Sequence, residues 1–222
     1  MNKFTIAIDG PAGAGKSSIS KEVSKRLGCI YVDTGAMYRA CALYAIINNI
    51  PITASDLEPV LDDIKIDIQY REDGQRIILN GEDVSGKIRE PEVSIGASDI
   101  AVIPSVRLKL VELQRELAKN NNVIMDGRDI GTYVLPDANV KIFLTASVDE
   151  RAKRRVLEFK QKGQELDIEK VKEDIKYRDK NDSEREFAPL KQADDAVLLD
   201  STEYDFNQVV EKVIEIINSK IS

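Results

Sequence analysis

The amino-acid sequence predicts an α/β fold with three layers, in which a five-stranded parallel sheet lies between helices. Short apolar runs alternate with helical segments, the pattern of strands joined by crossover helices. A glycine-rich segment joins the first run to the first helix, and a stretch at about 62–88 changes to a two-residue period, which indicates a small antiparallel insertion. The predicted parallel strands are 3–9, 29–32, 123–126, 140–144 and 197–200.

The first strand runs from Lys3 to Asp9, where Asp9-Gly10-Pro11 stops the apolar pattern. Its helix runs from Lys16 to Leu27, because Gly28 supplies the residue that commonly ends a helix. The next elements are a short strand from Cys29 to Asp33, an apolar helix from Ala36 to Asn49, and a short helix opened by a capping box at Ser55 to Glu58.

The insertion is recognisable from its alternation. Ile64, Ile66 and Ile68 alternate with polar residues, which is typical of a strand with one buried face. A turn at Glu72-Asp73-Gly74 leads to a second strand, and Asn80-Gly81 is a strong hairpin signal.

The remaining chain is mostly helical. Two helices are predicted at about 90–102 and 105–119, separated by Pro104, and a capping box at Ser147 to Glu150 opens a helix that reaches Gly163. Further helices are predicted at 167–180 and 205–220.

Composition excludes several classes of protein. The 222 residues include no histidine, which excludes a Ser-His-Asp hydrolase and a His-ligated zinc enzyme. Cys29 and Cys41 form no metal-ligand or disulfide pattern, which favours a reducing compartment. The net charge of −7 argues against nucleic-acid binding, and the longest apolar run, Ala40 to Ile47, is too short for a membrane span. We therefore expect a soluble, cytoplasmic protein, and as a separate expectation a monomer.

One motif carries strong chemical information. The segment Gly10–Ser17 matches G-x-x-x-x-G-K-[ST] between a strand and a helix. Its backbone amides and the helix N-terminus would bind phosphate oxygens, Lys16 would reach the terminal phosphates of a nucleotide, and Ser17 would ligate Mg²⁺. The alternative is a glycine turn that matches by chance. The residues predicted to bind the nucleotide phosphates here are Gly10, Pro11, Ala12, Gly13, Ala14, Gly15, Lys16, Ser17 and Ser18.

The motif fixes a phosphate site but no reaction. A GTPase would carry N-K-x-D late in the chain, and here the only Asn-Lys is Asn2-Lys3, followed by Phe4 and Thr5. An ATPase motor usually has Asp-Glu after a hydrophobic strand, and Met125-Asp126-Gly127 has no Glu there. Both alternatives are weakened.

A basic cluster stands out from the acidic background. Residues 151–162 carry six cationic side chains and one acidic one, and three of the arginines share one helical face. Such a helix would neutralise charge during phosphoryl transfer, whereas the alternative is a solvated surface in which Glu150 pairs with Arg154. The cationic residues are Arg151, Lys153, Arg154, Arg155, Lys160 and Lys162.

Several segments together resemble the bacterial cytidylate kinases, members of the P-loop nucleoside monophosphate kinases. The resemblance extends over about residues 3–217. It rests on Asp33-Thr34-Gly35-Ala36-Met37-Tyr38-Arg39, on Asp126-Gly127-Arg128-Asp129-Ile130-Gly131-Thr132, on Arg178-Asp179 with Asp182 and Arg185, and on the insertion with Gly81-Glu82-Asp83-Val84-Ser85.

This resemblance implies transfer of a phosphoryl group from ATP to CMP or dCMP with Mg²⁺. It also implies one P-loop domain over 1–222, with a core at about 1–35, 120–146 and 190–222, a monophosphate-binding region at 36–119 and a helical lid at 147–165.

Site residues follow from the same resemblance. The acceptor phosphate is expected at Arg39, Arg128 and Arg185, and cytosine at Ser98, Arg107 and Asp129. Arg178 and Asp182 are expected near the sugar and phosphate, with Thr34 and Tyr38 also binding substrate. Arg151 and Arg154 are expected to bind ATP, and Lys16, Arg128, Arg154, Arg155 and Arg185 are the predicted catalytic residues.

The residues themselves leave local alternatives open. Asp129 could pair with Arg128, Asp182 could cap a helix or pair with Arg178 or Arg185, and Ser98 could be an ordinary helix surface residue. Asp33 is predicted to hold a Mg²⁺-bound water, to orient Ser17, or only to cap the next helix. At the level of function, a kinase for another small acceptor such as UMP and a P-loop switch protein are the alternatives.

Overall fold

A computed structural model describes residues 3–71, 74–161 and 163–221. Glu72 and Asp73 of the predicted turn, and Lys162 of the basic cluster, lie outside these residues. The chain divides into two compact units, Met1–Tyr31 with Asn120–Ser222, and Val32–Lys119.

The elements follow one another as the sequence predicts, with shifted ends. In chain order they are β1 (Thr5–Asp9), α1 (Lys16–Leu27), β2 (Ile30–Asp33), α2 (Thr34–Ile47), α3 (Ala54–Leu57), β3 (Ile66–Arg71), β4 (Gly74–Leu79), β5 (Glu82–Asp83), α4 (Pro91–Ile100), α5 (Pro104–Lys119), β6 (Val123–Gly127), β7 (Val140–Thr145), α6 (Val148–Gln161), α7 (Ile168–Glu184), β8 (Val197–Asp200) and α8 (Phe206–Ile221). Two 3₁₀ segments, Glu58–Asp63 and Lys87–Arg89, and a π-helical turn, Ile130–Val134, complete the description.

The five-stranded sheet has the order β2-β6-β1-β7-β8. β1 is parallel to both β6 and β7, and β7 is parallel to β8. Strands β1 and β6 are buried almost throughout, as expected of central strands covered on both faces. Asp9 is paired with Gly127, so the carboxyl ends of these two strands reach the same edge of the sheet. In open α/β sheets this edge is where ligands bind.

Helices α1 and α8 pack against this sheet. The apolar core that results includes Ile6 and Ile8 of β1, Val23 of α1 and Val210 and Val213 of α8, all buried. Helix α1 ends as predicted, because Gly28 adopts the left-handed conformation and its N–H returns to the Ser24 carbonyl.

The second unit combines helices with the insertion. Helix α2 packs on α4, and β3, β4 and β5 form an antiparallel sheet in that order. Asn80 and Gly81 both have positive φ, 50° and 90°, which is the two-residue turn that favours Asn-Gly. The predicted antiparallel insertion and the predicted parallel sheet are both confirmed.

Some local predictions are wrong. The sequence predicts a capping box that begins at Ser55, but Thr53 caps α3 by accepting a hydrogen bond from the Asp56 amide. The sequence also predicts that Pro104 separates two helices, yet Pro104 is the first residue of α5, a position where its missing N–H costs nothing. The π-helical turn after β6 was not predicted, and α7 continues four residues beyond Lys180. Within the described residues, no helix is long and apolar enough to cross a membrane.

Candidate active site

The segment Gly10–Ser17 leaves the end of β1 and opens α1, as the motif requires. Its three glycines have φ of 150°, 76° and 90°, a region that side chains rarely enter, and this allows successive amides to turn inward. The Lys16 ammonium folds back along the loop and donates a hydrogen bond of 2.8 Å to the carbonyl of Pro11. The loop is therefore preformed around its lysine.

The Lys16 side chain is buried. The pKa of Lys16 is lowered to about 7, mainly by burial and then by the nearby Arg128 charge, and the carboxylates of Asp126 and Asp182 oppose this effect. A bound polyphosphate would favour the charged ammonium in this setting, because opposite charge restores the protonated form.

Asp126 lies at the end of β6 and is buried. Its two carboxylate oxygens accept hydrogen bonds from the hydroxyls of Ser17, at 2.9 Å, and Tyr31, at 2.8 Å. Asp126 thus orients the Ser17 hydroxyl, the predicted Mg²⁺ ligand.

Asp9, the last residue of β1, is a second buried carboxylate. It accepts hydrogen bonds from the backbone N–H groups of Ile130 and Gly131, at 2.8 and 2.7 Å. Burial raises the pKa of Asp9 to about 7, although these two hydrogen bonds lower it. Asp9 therefore anchors the π-helical turn that directly follows Arg128 and Asp129.

Arg128 follows β6 and forms an ion pair with Asp182 near the end of α7. The Arg128 Nε to Asp182 Oδ2 distance is 2.6 Å, and both side chains are largely buried. Burial alone would raise the pKa of Asp182, but the Arg128 charge and hydrogen bond hold it below its usual value, with help from Arg185 and Arg178. The partner Arg128 was not among the alternatives for Asp182, which were a helix cap, Arg178 or Arg185; of these, the Arg185 guanidinium lies 3.9 Å from Asp182 Oδ1.

Arg185 makes the second ion pair at this site. Its guanidinium lies 3.2 Å from Asp129 Oδ1 and 3.9 Å from Asp182 Oδ1, and its Nε donates to the Ala188 carbonyl at 2.7 Å. Asp129 therefore pairs with Arg185, 56 residues away in sequence, whereas the local alternative held a pairing with its neighbour Arg128. The structure thus brings four predicted acceptor residues into one buried cluster of alternating charge.

The three arginines of α6 have different surroundings. Arg151 is buried and donates to the carbonyls of Ala146 and Ala12, at 2.9 and 2.7 Å. Arg154 donates to Ser201 and pairs with Glu150, which is the pairing that the surface alternative contained. A Cβ built on Gly15 would lie 3.9 Å from Arg154 Nη1, so this guanidinium lies beside the phosphate loop.

Arg155 contacts two residues of its own helix. It pairs with Glu158 at 3.3 Å and lies over the Phe159 ring, 4.4 Å from the centroid. Its predicted catalytic role stays a prediction, as do the roles of Arg151 and Arg154.

In the second unit, Asp33 is buried at the start of α2. Its Oδ1 accepts the Ala36 N–H at 2.8 Å, and its Oδ2 accepts from Arg39 at 2.8 Å and from Arg89 at 3.2 Å. Burial alone would raise the pKa of Asp33, but the two arginines keep it below its usual value. The helix-capping alternative is therefore present, and Asp33 also orients Arg39, a predicted phosphate ligand.

The predicted cytosine readers of this unit lie on α4 and α5. Arg107 is completely buried, donates to the Ala101 carbonyl at 3.2 Å, and lies 5.6 Å from the centroid of the Tyr38 ring. Ser98 is buried as well, so the surface alternative for this residue is wrong. In the part of the chain that the structure describes, its hydroxyl has no hydrogen-bond partner, which is unusual for a buried polar atom and suits a ligand contact. Thr34 is buried in the first turn of α2.

Sequence reasoning missed the supporting carboxylates. Asp9, Asp126 and Asp179 hold the phosphate loop or the turn after β6, and Arg89 shares Asp33 with Arg39. The signal for Asp9 and Asp126 was available, because acidic residues at the carboxyl ends of neighbouring parallel strands lie at the ligand-binding edge.

Comparison with known proteins places the chain in a family. The family model described as cytidylate kinase matches residues 6–219. A cytidylate kinase of Caldicellulosiruptor saccharolyticus is 54% identical over 219 residues, covering 97% of this chain and 96% of the relative. A cytidylate kinase of Lactobacillus johnsonii is 51% identical over 216 residues, covering 97% and 94%.

Solved structures agree on the fold. A gluconokinase from Sinorhizobium meliloti superimposes with a TM-score of 0.52 at 12% identity, covering 98% of this chain and 94% of the other. A shikimate kinase from Bacteroides thetaiotaomicron gives a TM-score of 0.50 at 13% identity, covering 97% and 98%. Both kinases have low sequence identity to the chain and support the fold alone, whereas the family match and the relatives above 50% identity decide the family. The chain belongs to the cytidylate kinase family.

Proposed function

We propose that this protein transfers the terminal phosphoryl group of ATP to CMP or dCMP, giving ADP and CDP or dCDP. The match to the cytidylate kinase family over residues 6–219 carries the proposal. The curated relatives at 50–54% identity are named cytidylate kinase, and they span nearly the whole chain.

The donor half of the reaction uses the phosphate loop. Its amides and Lys16 would bind the β- and γ-phosphates, and the Arg154 guanidinium beside Gly15 supports a role next to them. Ser17 and Asp33 are the residues proposed to hold Mg²⁺, through a water in the case of Asp33. A hydroxyl oriented by the Asp126 carboxylate fits a hard cation, and one or two protein ligands suffice because phosphate oxygens and water complete the shell. When bound, the ion would neutralise charge on the transferring phosphoryl group.

The acceptor phosphate would meet three guanidiniums that are already oriented. Arg39 is held by Asp33, Arg128 by Asp182, and Arg185 by Asp129. Arginine forks suit a phosphate dianion, and side chains fixed in advance lose little entropy when the ligand arrives.

Cytosine recognition is proposed for Asp129, Arg107 and Ser98. The base presents an amino donor beside two acceptors, so a carboxylate with an arginine or hydroxyl is complementary to it. The burial of Arg107 and Ser98 supports selective contacts, because a buried polar group left without its partner is costly. Arg178 and Asp182 are proposed to lie near the sugar and phosphate.

No general base is required in this mechanism. The acceptor is a phosphate oxygen that is already anionic at neutral pH, so alignment and charge neutralisation by Lys16, Arg128, Arg154, Arg155 and Arg185 provide the catalysis. This agrees with a chain that contains no histidine.

An assay of ADP formation across several acceptors tests the proposal. CMP, dCMP, UMP, AMP and shikimate are offered with ATP and Mg²⁺, and turnover is expected with the cytidine nucleotides. Turnover of UMP alone would favour the alternative of a kinase for another small acceptor. No transfer to any monophosphate, together with a tight nucleotide-dependent complex with a macromolecule, would favour the switch alternative.

The base-reading role of Asp129 has its own test. In Asp129→Asn the amide presents a donor towards the cytosine amino group, so kcat/KM for CMP should fall by roughly 10- to 100-fold while the KM for ATP changes little. UMP should lose less, because its carbonyl accepts from the new amide. Asp137→Asn, a change at an exposed aspartate of the same segment, is the matched control. Equal losses for CMP and UMP would count against base reading.

The remaining features are proposals of the same kind. We propose a cytoplasmic monomer that binds the small nucleotides ATP, CMP and dCMP and no nucleic acid, which is supported by the net charge of −7 and by free Cys29 and Cys41. Residues 147–165 are proposed to form a lid that opens for nucleotide exchange. Hydrogen exchange in this segment should slow when ATP and CMP bind, and equal protection in both states would contradict the lid.

A further inference from the structure

Two side chains from α6 and α7 hold the backbone of the phosphate loop at Ala12. Asp179 of α7 accepts a hydrogen bond from the Ala12 N–H, with Oδ1 3.2 Å from the nitrogen. Arg151 of α6 donates to the Ala12 carbonyl at 2.7 Å. Arg151 and Asp179 also pair with each other, Nη2 to Oδ2, at 2.7 Å. The three groups form a closed ring around one residue of the loop.

The ring restrains two successive peptide planes. In the Pro11–Ala12 peptide, Lys16 binds the carbonyl at 2.8 Å and Asp179 binds the N–H on the opposite edge. In the Ala12–Gly13 peptide, Arg151 binds the carbonyl, and because a trans peptide points its N–H and its C=O in opposite directions, the Gly13 amide is directed away from Arg151. The direction of loop amides is what makes such a loop a phosphate site.

The surroundings of Arg151 hold its side chain in one place and occupy its hydrogen-bond donors. The side chain is 5% exposed, and its Nε donates to the Ala146 carbonyl at 2.9 Å. A Cβ added to Gly13 would lie 3.2 Å from the Arg151 Cβ, so the helix backbone also packs closely against the loop. All three nitrogens of the guanidinium are engaged by protein groups.

We propose that Arg151 and Asp179 are positioning residues that hold the phosphate loop in its ATP-binding conformation and thereby couple helices α6 and α7 to the donor site. Arg151 acts through the loop backbone, which revises the expectation that it contacts ATP. Asp179 is negatively charged, as ATP is, and therefore cannot attract ATP directly. For this reason its variants distinguish positioning of the loop from direct binding of ATP.

The sign of its effect separates positioning from electrostatics. If Asp179 acted only through its charge, removing a negative charge beside the loop would strengthen ATP binding. If it positions the loop, removal weakens ATP binding. In Asp179→Ala we expect the KM for ATP to rise about 10-fold, with the KM for CMP within about 2-fold of wild type, since a charge-assisted hydrogen bond and an ion pair are lost at the loop. Asp179→Asn keeps an acceptor for the Ala12 N–H, so its KM for ATP should lie between those of wild type and Asp179→Ala.

A matched pair on the same helices provides the control. Asp149 of α6 and Lys172 of α7 form an ion pair of 2.9 Å that joins the two helices on their exposed side. Asp149→Asn and Lys172→Met remove an α6–α7 ion pair without touching the loop. If the effect of Asp179 came only from the packing of α6 on α7, these variants would reproduce it, and we expect them to leave the KM for ATP unchanged.

Hydrogen exchange of the nucleotide-free enzyme gives a readout independent of turnover. Exchange in the peptide that contains residues 12–15 should accelerate in Asp179→Ala and remain as in wild type in Asp149→Asn. Far-UV circular dichroism and the thermal midpoint establish that each variant is folded, and Asp179→Asn serves if the alanine variant is not. An unchanged or lowered KM for ATP in a folded Asp179 variant, or unchanged exchange in the loop, overturns the proposal.

Discussion

Gly10 is the residue at which the phosphate loop depends most directly on the sheet. Its φ is 150°, and a Cβ built at this position would lie 1.9 Å from the carbonyl oxygen of Leu144 in β7. That atom belongs to the backbone of a strand that pairs with β1 through Asp9 and Phe143. To restore even a 3 Å contact, one strand must move by about an ångström, which disturbs the ladder on both sides of the loop.

In Gly10→Ala two unfavourable terms add. Forcing a side chain into a strand that cannot yield costs roughly 1–3 kcal/mol or more, and a backbone conformation reserved for glycine costs about 1–3 kcal/mol. We expect the free energy of unfolding to fall by roughly 3–5 kcal/mol, a large part of the 5–15 kcal/mol typical of a domain.

Gly28→Ala is the matched control. Gly28 also has a positive φ, 64°, but a Cβ there meets nothing within 4 Å, so only the conformational cost of about 1–2 kcal/mol applies. Urea unfolding followed by far-UV circular dichroism compares the two variants, with similar m-values required for the comparison. The reasoning is refuted if Gly10→Ala is destabilised no more than Gly28→Ala.

Three further predictions concern buried groups. Asp182→Ala leaves Arg128 without the carboxylate at 2.6 Å, so the free energy of unfolding should fall by about 3–5 kcal/mol and the KM for CMP should rise. The control Asp194→Ala, at an exposed aspartate, should change neither quantity. An Asp182 variant as stable as that control would contradict the buried ion pair. The pKa of Asp9 is raised from 3.8 to about 7, so its contribution to stability is greatest below pH 3.8 and is lost as the pH rises towards 7. Urea unfolding between pH 4 and 8 should therefore show the stability of Asp9→Asn rising relative to wild type as the pH rises, by up to about 4 kcal/mol. A difference in stability that stays constant with pH would argue against a buried carboxyl of raised pKa. Burial raises the pKa of Cys41 to about 12, so labelling by a thiol reagent at pH 8 should be at least about 100-fold faster in urea than in the native protein, and rapid native labelling of Cys41 would contradict its burial.

Much of the fold could be predicted because its signals are local. Helix α1 begins and ends as predicted, since the phosphate motif defines its start and a left-handed Gly28 its end. The Asn80-Gly81 turn is equally local, because only such residues adopt two successive positive φ values readily. The start of α3 was predicted wrongly because two residues that can cap a helix lie close together. Thr53 caps α3, two residues before the predicted Ser55.

The candidate site was predictable in its residue types but not in its pairings. Asp129 stands beside Arg128 in sequence and pairs with Arg185, while Arg128 pairs with Asp182. Neither partner follows from spacing, since both depend on where the end of α7 comes to rest beside the end of β6. The shared helical face of the α6 arginines was a poor guide for the same reason, because Arg151 contacts the phosphate loop and Arg155 contacts its own helix.

The sequence by itself determined the α/β class, the antiparallel insertion, the phosphate loop and the family resemblance, because each rests on a contiguous pattern whose backbone geometry or chemistry is local. Only the tertiary structure decided the strand order and the carboxylates behind the site: Asp9 under the turn after β6, Asp126 under Ser17, and Asp179 against Ala12. Their roles arise from contacts between residues more than a hundred positions apart. Such contacts exist only after apolar burial has brought β1, β6 and α7 together, and no local pattern encodes them.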